Sequence, residues 1–232
     1  SKNNIPSDPS QGKIKFSQKD IENLREADVE TLLENASNGA YHDGSYIPLR
    51  RNTPQALMEI LGQHSGEAIE DLPVIMNVGK VRQAMEEGEY AGGRGHGISR
   101  EGMMAIIKGM DDPAYIVEQE NGRYVEVVRY YDGQKRAAWA VLDFGNFKRP
   151  QHMNGYEGGQ YHVLVTAFEP DNLKRYLSGH GNKILYDKRK DALQSGSGRL
   201  WPSHLNRTPF ADSIPSGQAQ GKEKPKFSLK EG

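Results

Sequence analysis

The chain has 232 residues, of which 35% are hydrophobic and 26% are charged, and it contains no cysteine. A disulfide framework, a thiolate zinc site and a thiol nucleophile are therefore excluded. No apolar run approaches the ~20 residues that a membrane-spanning helix needs, and the N-terminal sequence lacks the hydrophobic segment of a secretory signal. The length allows one ordinary domain with tails, or two small domains.

Charge is distributed unevenly along the chain, although the formal net charge is only -1. Residues 1–130 hold 14 basic against 21 acidic side chains, whereas residues 131–232 hold 16 against 10. A basic C-terminal half suits an anionic partner such as RNA. A basic tail and solvated helix faces explain the excess of basic side chains in residues 131–232 equally well.

Two similar segments lie near the ends of the chain, KIKFSQKD at 13–20 and KPKFSLKEG at 224–232. Both adjoin sequence rich in Ser, Pro, Gly, Gln and Lys, a composition typical of flexible linkers. We therefore expect linkers at 1–16 and 216–232, and a module that belongs to a larger polypeptide.

The first half of the chain has helical periodicity. Residues 16–39 predict one helix that begins with a Ser17–Asp20 capping box and ends at Asn38-Gly39. This helix makes 17–45 an N-terminal helical segment.

Three more helices are predicted downstream. Residues 53–62 predict a helix with Thr53 as N-cap and Gly62 as its end. Residues 78–88 predict a third helix, and Ser99 is placed to cap a fourth.

From residue 114 the periodicity changes from 3.6 to 2. Asn121-Gly122 and Asp132-Gly133 predict two hairpin turns between extended runs. A fourth strand is predicted in YHVLVTAFEP (161–170), and a helix and a short fifth strand follow it. Helices followed by a mostly antiparallel sheet of four to five strands predict an α+β fold.

The glycine-rich stretch GGRGHGISREGM occupies residues 92–103. No convincing strand precedes it and Gly-Lys-Ser/Thr is missing, which argues against a nucleotide-binding loop. We interpret it as a mobile loop that brings His96 near a helix N-terminus, where free N–H groups attract an anion and the dipole disfavours imidazolium. Arg94 and Arg100 could add phosphate contacts. A solvent-exposed histidine in a flexible turn is the alternative.

The predicted fourth strand also carries polar candidates. Alternation would place His162, Leu164, Thr166 and Phe168 on one face. This mixed face suits a ligand-binding cleft with His162 and Thr166 at opposite ends, although an ordinary half-solvated strand has the same pattern.

Basic residues recur in two further segments. Lys148 and Arg149, with His152, could grip a phosphodiester, and Lys183 with Tyr186 lies around the predicted fifth strand. Solvated basic stretches would look the same. No histidine or carboxylate spacing is typical of a metal site, so we expect neither metal nor cofactor.

The motifs, taken in order, resemble a known family. They are YIPLRRNTPQALMEILG, LPVIMNVGKV, a glycine-flanked HGIS, MDDPAYIVEQ, HVLVTAF, NKILYDKRKDAL and RLWPSHLNRTPFADSIPS. This order is similar to the phage MuF-type C-terminal toxin domain, of the barnase–EndoU–colicin–RelE class of small metal-independent ribonucleases. The resemblance covers 46–215. The family's strand pattern Asn-x-Ile-x-Ser-x-Tyr falls on His162, Leu164, Thr166 and Phe168 and differs at each position.

The resemblance implies an endoribonuclease that cleaves RNA by attack of the ribose 2′-hydroxyl on the adjacent phosphorus. His96 and His162 would be the acid–base pair, Thr166 would position the phosphate, and Lys148 or Lys183 would stabilise charge. The implied substrate-binding residues are Arg94, Ser99, Arg100, Lys148, Arg149 and Tyr186.

The implied setting is a toxin module of a phage or mobile-element polypeptide. It would be carried by a phage particle or delivered into a target cell, act on RNA in the cytoplasm, and be neutralised by an immunity protein, with no membrane partner. Two other functions stay open. One is an ADP-ribosyltransferase, although the Arg…Ser-Thr-Ser…Glu pattern is not evident, and the other is an inactive interaction module.

Overall fold

The structure is a computed structural model that describes residues 13–90, 93–133, 136–145, 151–152, 159–195, 208–211 and 229–230. These ranges hold an α+β fold, which confirms the predicted class. The helices are α1 (Gln18–Glu22), α2 (Glu26–Ser37), α3 (Gln55–Ser65), α4 (Val78–Met85), α5 (Arg100–Gly109), α6 (Leu173–Leu177) and α7 (Lys188–Ser195). The strands are β1 (Lys13–Ile14), β2 (Tyr46–Arg50), β3 (Val74–Asn77), β4 (Glu89–Tyr90), β5 (Gly93–Arg94), β6 (Tyr115–Glu118), β7 (Tyr124–Tyr131), β8 (Ala137–Asp143), β9 (Gln151–His152), β10 (Gln160–Leu164), β11 (Thr166–Phe168), β12 (Lys183–Asp187) and β13 (Leu229–Lys230).

Two larger sheets organise these strands. The five-stranded sheet has the order β11-β8-β7-β6-β12, and every neighbouring pair in it is antiparallel. Its hairpins turn at Asn121-Gly122 and Asp132-Gly133, as the sequence predicts. The four-stranded sheet has the order β2-β3-β10-β9, in which β3 and β10 are parallel. The strands β2 and β3 lie among the helices, so the expected order of helices first and sheet second is only partly right.

Helix α5 packs against β7 on one face of the five-stranded sheet. Ser99 caps this helix as predicted, because its Oγ accepts the Gly102 N–H at 3.0 Å. The apolar side chains of α5 join the main core, whose members include Met103, Ile106, Ile107, Tyr124, Val128, Tyr130, Ala140 and Leu142. We call this helix-covered face the inner face and the opposite one the outer face.

The predicted N-terminal helix is two helices. The capping box of Ser17 and Asp20 begins α1, which ends at Glu22. Leu24 is fully buried between the helices, and its carbonyl accepts the N–H of Ala211 at 2.7 Å. Asp28 then accepts the Arg25 N–H and begins α2. The break between α1 and α2 thus coincides with a contact to Ala211, far along the chain, and local periodicity does not indicate it.

The boundaries of α3 also differ from the prediction. The Thr53 hydroxyl does not cap the helix; it accepts the Leu72 N–H at 2.8 Å, and its one proton can go to the Leu72 carbonyl at 2.9 Å or the Glu70 carbonyl at 3.2 Å. Gly62 lies inside α3, which ends at Ser65 with Gly66 as its C-cap, where φ is +71°.

The predicted fourth strand is broken at Val165. Its first part, β10, pairs with β3 in the four-stranded sheet, and its second part, β11, pairs with β8 in the five-stranded sheet. Between them the Val165 N–H donates to the Asp143 carbonyl at 2.7 Å. The alternation of faces is lost here, because Leu164 and Ala167, three residues apart, join the same core cluster.

The chain ends show that the fold begins before the predicted linker boundary. Ile14 and Phe16 are 1% and 3% exposed, so the interval 1–16 is not entirely linker. β1 pairs with β13, which joins the two similar end segments in a short antiparallel ladder. Residues of α2 share one core cluster with the five-stranded sheet, so 17–45 does not form a separate unit. The rest of the two predicted linkers lies outside the described residues.

Candidate functional site at the edge of the outer sheet face

The outer face presents polar and aromatic side chains around a buried centre. Val117, Val125, Val127 and Val141 form that centre, and side chains of α6 pack against it. Directly paired residues of neighbouring strands share a face. Thr166 is paired with Asp143, and Phe168 is paired with Val141, so both lie on the outer face of the edge strand β11.

His96 reaches this edge through the glycine-rich segment. Its ring centroid lies 5.7 Å from that of Phe168, with the planes tilted by 38°. Phe168 also contacts Tyr176 of α6. The two rings meet edge-on, with their centroids 5.9 Å apart. We call His96, Phe168, Tyr176 and Thr166, together with the Asp143–Arg123 pair described below, the β11 edge cluster.

The backbone of the glycine-rich segment is tied down by four consecutive N–H groups. Those of residues 95, 96, 97 and 98 donate to the carbonyls of Gly88, Gln83, Glu86 and Ala84, at 2.7 to 3.0 Å. A Cβ at Gly95 would collide with the Glu86 carbonyl oxygen, and Gly97 has φ +64°. The glycines therefore allow close approach to the end of α4.

The N–H groups of residues 95 to 98 have carbonyl partners, so the segment is held against the end of α4 and is not the expected mobile loop. At the N-terminus of α5, where the sequence predicts free donors, the Gly102 N–H donates to Ser99 Oγ. A two-residue strand, β4, also precedes the loop and pairs with β5, although no convincing strand was expected there. What the segment supplies is a fixed position for His96.

Asp143 and Arg123 form an ion pair beside Thr166. Arg123 Nη2 lies 2.7 Å from Asp143 Oδ2, and Nε donates to Oδ1 at 3.2 Å. Asp143 Oδ1 also accepts the Gly145 N–H at 2.7 Å. The Arg123 side chain is 36% exposed and the Asp143 side chain 12%, so the cation is the more accessible partner.

Tyr176 is held in its protonated form near this pair. Burial and, secondarily, the negative charge of Asp143 raise the pKa of Tyr176 to about 12, while Arg123 opposes the shift. The Gln119 side-chain amide donates to the Tyr176 oxygen at 3.2 Å. Because this bond uses the oxygen as an acceptor, the phenolic proton remains available for donation.

The β11 edge cluster thus combines a histidine, a neutral phenol, a hydroxyl and an arginine. Histidine and phenol can move protons, and a positioned guanidinium can stabilise an anionic oxygen. Of the sequence-predicted residues, the structure brings His96 and Thr166 to this cluster.

His162 does not join them. It is 3% exposed, lies on β10 of the other large sheet, and donates from Nε2 to the Glu70 carbonyl at 3.0 Å. Burial lowers the pKa of its imidazole, which favours the neutral form. The shared face predicted for His162 and Thr166 is wrong, because the strand breaks between them.

Lys183 and Tyr186 are also placed away from the cluster. They lie on β12, the edge strand opposite β11 and four strand spacings away, about 19 Å. Lys183 is paired with Glu118, whose carboxylate accepts the inner-face Tyr124 hydroxyl. Tyr186 is 5% exposed and belongs to the main core, away from the β11 edge cluster.

The remaining predicted substrate residues have separate surroundings. Ser99 is the N-cap of α5, and Arg100 pairs with Glu34 of α2 at 3.1 Å and with Glu101 at 3.5 Å. The backbone of Arg94 lies in β5. Lys148 and Arg149 lie outside the described residues.

Arg123, Asp143 and Tyr176 are candidates that sequence reasoning missed. Arg123 directly follows the Asn121-Gly122 turn, and Asp143 ends β8. The register of the second predicted hairpin pairs Asp143 with Val125, which puts Arg123 diagonal to Asp143 as an opposite-charge neighbour. Tyr176 carries no comparable signal, since its place depends on how α6 packs.

Two cavities adjoin the sheets elsewhere. One of about 620 Å³ lies between α1 and β10 and is lined by residues that include Arg51, Asp71 and Tyr161. Another of about 360 Å³ lies on the outer face near β12. Within the described ranges, no group of three or more His, Asp or Glu side chains is arranged to hold a metal ion.

Comparison of the chain with protein-family models, curated proteins and solved structures gives no match. Among the described helices, none is long and apolar enough to cross a membrane.

Proposed function

We propose that the chain is a metal-independent endoribonuclease toxin module whose catalytic centre is the β11 edge cluster. The observation that carries the proposal is the packing of His96 on Phe168, a residue on the outer face of β11. The same strand carries Thr166, which is paired with Asp143, the ion-pair partner of Arg123. An acid–base group, a hydroxyl and a cation are what phosphodiester transesterification requires.

In the proposed reaction His96 accepts the proton of the ribose 2′-hydroxyl as its oxygen attacks phosphorus. The bond to the 5′-oxygen breaks, and Tyr176 donates its phenolic proton to that leaving oxygen. The products are a 2′,3′-cyclic phosphate and a 5′-hydroxyl. Water then returns a proton from the His96 imidazolium to the Tyr176 phenolate.

Arg123 takes the charge-stabilising role that the family resemblance implies for Lys148 or Lys183. Its guanidinium is half-exposed and held in orientation by Asp143, so it can meet the extra negative charge of the phosphorane. Thr166, paired with Asp143, would position a phosphate oxygen. His162 has no part in this mechanism.

The proposed setting follows from the same activity. RNA is the substrate, the cytoplasm is the site of action, and a host that carries the module within a phage or mobile-element polypeptide needs an immunity protein to neutralise it. The basic C-terminal half of the sequence is compatible with an RNA partner.

The test incubates the purified chain with labelled tRNA and rRNA in EDTA. We expect fragments ending in cyclic phosphate, and a rate about 10²–10⁴ lower for His96→Ala, the usual contribution of a general acid or base. His180→Ala is the matched control, because His180 is exposed and lies outside the cluster. Intact RNA at enzyme excess, or equal rates for the His96 and His180 variants, would overturn the proposal.

A further inference from the structure

The second cavity on the outer face is lined by aromatic and cationic side chains. Its volume is about 360 Å³, within the range of about 300–1,000 Å³ usual for small-molecule sites. We call it the Trp139 pocket, and the residues used below are Tyr115, Arg129, Tyr131, Trp139, Lys188 and Arg189.

The aromatic side chains of the Trp139 pocket come from neighbouring strands and contact one another. Arg129 of β7 is paired with Trp139 of β8, and its guanidinium carbon lies 5.8 Å from the Trp139 ring centroid. Tyr115 of β6 lies 6.5 Å from the same ring, with the planes at 50°. Tyr131 is 60% exposed, unlike most large hydrophobic side chains of the described chain. An exposed ring next to an arginine–tryptophan contact is a surface on which a planar base can stack.

The cationic side of the pocket favours a phosphate. Three cations, Arg129, Lys188 and Arg189, line it against one carboxylate, Asp112. Lys188 Nζ lies 2.6 Å from Asp112 Oδ2, which leaves the two arginines as the cations in excess. A ligand with both a flat aromatic group and a negative charge therefore fits better than a purely apolar or purely anionic one.

The pocket and the β11 edge cluster lie on the same sheet face. Trp139 and Asp143 are four residues apart on β8, about 14 Å at the usual rise of a strand. One nucleotide cannot reach both places, but an extended single strand that crosses the face can.

We propose that the Trp139 pocket binds an unpaired base of the RNA substrate, together with its phosphate, some nucleotides away from the cleaved bond. This inference deepens the proposed ribonuclease function and depends on it for the identity of the ligand. The base stacks on Tyr131 and the adjoining Trp139 edge, and its phosphate meets Arg129 and Arg189. Stacking selects single-stranded RNA, because bases inside a duplex cannot be splayed out onto a protein ring.

Binding is measured with a fluorescently labelled eight-nucleotide 2′-O-methyl RNA, which lacks the attacking hydroxyl and cannot be cleaved by transesterification. Anisotropy gives the Kd, and a Trp201→Phe background leaves Trp139 as the sole tryptophan, since the chain has two. We expect quenching of Trp139 fluorescence, and single strands that bind more tightly than the same sequence in a duplex.

The variants separate stacking from general charge. Tyr131→Ala should raise the Kd about 5- to 50-fold, and Tyr131→Phe, which keeps the ring, should restore it. Arg129→Gln should weaken binding more than Arg25→Gln, which removes the same charge from an ion-paired site at the N-cap of α2. Tyr131 is largely exposed, so its removal leaves the core intact.

The outcomes distinguish this inference from the proposed function. Binding that depends on Tyr131, without cleavage of natural RNA, supports the pocket and overturns the ribonuclease. Cleavage with Kd values unchanged by Tyr131→Ala and Arg129→Gln overturns the pocket alone. Equal affinity for single strands and duplex, or equal losses in the Arg25 and Arg129 variants, shows charge attraction without a base site and overturns the inference.

Discussion

The two faces of the five-stranded sheet differ in how their acidic residues are buried and paired. On the inner face, Glu126 of β7 is fully buried, and among the described residues neither carboxylate oxygen has a hydrogen-bond partner. On the outer face, Asp143 of the adjacent strand is paired with Arg123. Of these two residues on neighbouring strands, Glu126 is thus buried in the core, whereas Asp143 belongs to an accessible and preorganised ion pair. The inner face should control stability and the outer face activity.

The largest effect is expected from Arg50, a cation whose charge acts on the buried Glu126. Arg50 has no exposed surface; it donates to both Asp111 oxygens at 2.9 Å and to the Ile107 carbonyl at 3.1 Å. Arg50→Met leaves these acceptors without their donor and should lower the free energy of unfolding by about 3 kcal/mol. Urea denaturation measures this loss.

The neighbouring Arg51 provides the control for Arg50. Arg51 is only half-buried, and its side chain donates to Thr208 at 3.3 Å. Arg51→Met should cost less than about 1 kcal/mol. Equal losses for the two variants would mean that the buried contacts of Arg50 with Asp111 and Ile107 do not stabilise the fold more than a surface contact does.

The outer face should respond in activity rather than stability. Arg123→Gln removes the cation paired with Asp143, the strand partner of Thr166, and should slow RNA cleavage about 10²-fold. The free energy of unfolding should fall by about 1 kcal/mol or less, since the Arg123 side chain is 36% exposed. Cleavage rates and urea denaturation, measured in parallel, decide whether Arg123 acts in activity or in stability. Arg123→Lys is the variant that keeps the charge. A large stability loss with an unchanged rate would assign Arg123 to structure alone.

Sequence signals found the elements that depend on neighbouring residues. Ser99 caps its helix because the hydroxyl is three residues from its partner, and Asn121-Gly122 forms its hairpin because the turn residues are adjacent. These features need no knowledge of the rest of the chain.

The site depended on contacts between distant residues. His96 meets Phe168 across 72 positions, and His162 is buried because β10 pairs in parallel with β3, nearly ninety residues earlier. The break at Val165 accompanies a hydrogen bond to Asp143 of β8. Strand periodicity alone could not indicate a change of sheet within one apolar run, so it placed His162 and Thr166 together.

The smallest effect, and the one most specific to the inner face, is expected from Glu126→Gln. Burial raises the pKa of Glu126 well above its ordinary value, and Asp111 adds to the shift while Arg50 opposes it. Because the folded state holds this proton more tightly than the unfolded state, the Glu126 contribution makes the protein less stable as pH rises above the ordinary Glu pKa of about 4.3. Glutamine keeps the shape without the titration, so the variant should be more stable than the wild type by about 1 kcal/mol at pH 8.

This gain should shrink as pH falls, because the raised pKa lets the folded state take up the Glu126 proton before the unfolded state does. Urea denaturation at pH 5, 6.5 and 8 measures the trend for Glu126→Gln and for Asp143→Asn. The Asp143 variant loses its ion pair with Arg123 and should be less stable than the wild type at all three pH values. If Glu126→Gln instead destabilises the protein most at pH 8, the buried carboxylate is ionised and stabilised by Arg50. The inner face would then contain a stabilising ion pair between Glu126 and Arg50, as the outer face contains one between Asp143 and Arg123. The contrast between the two faces would fail.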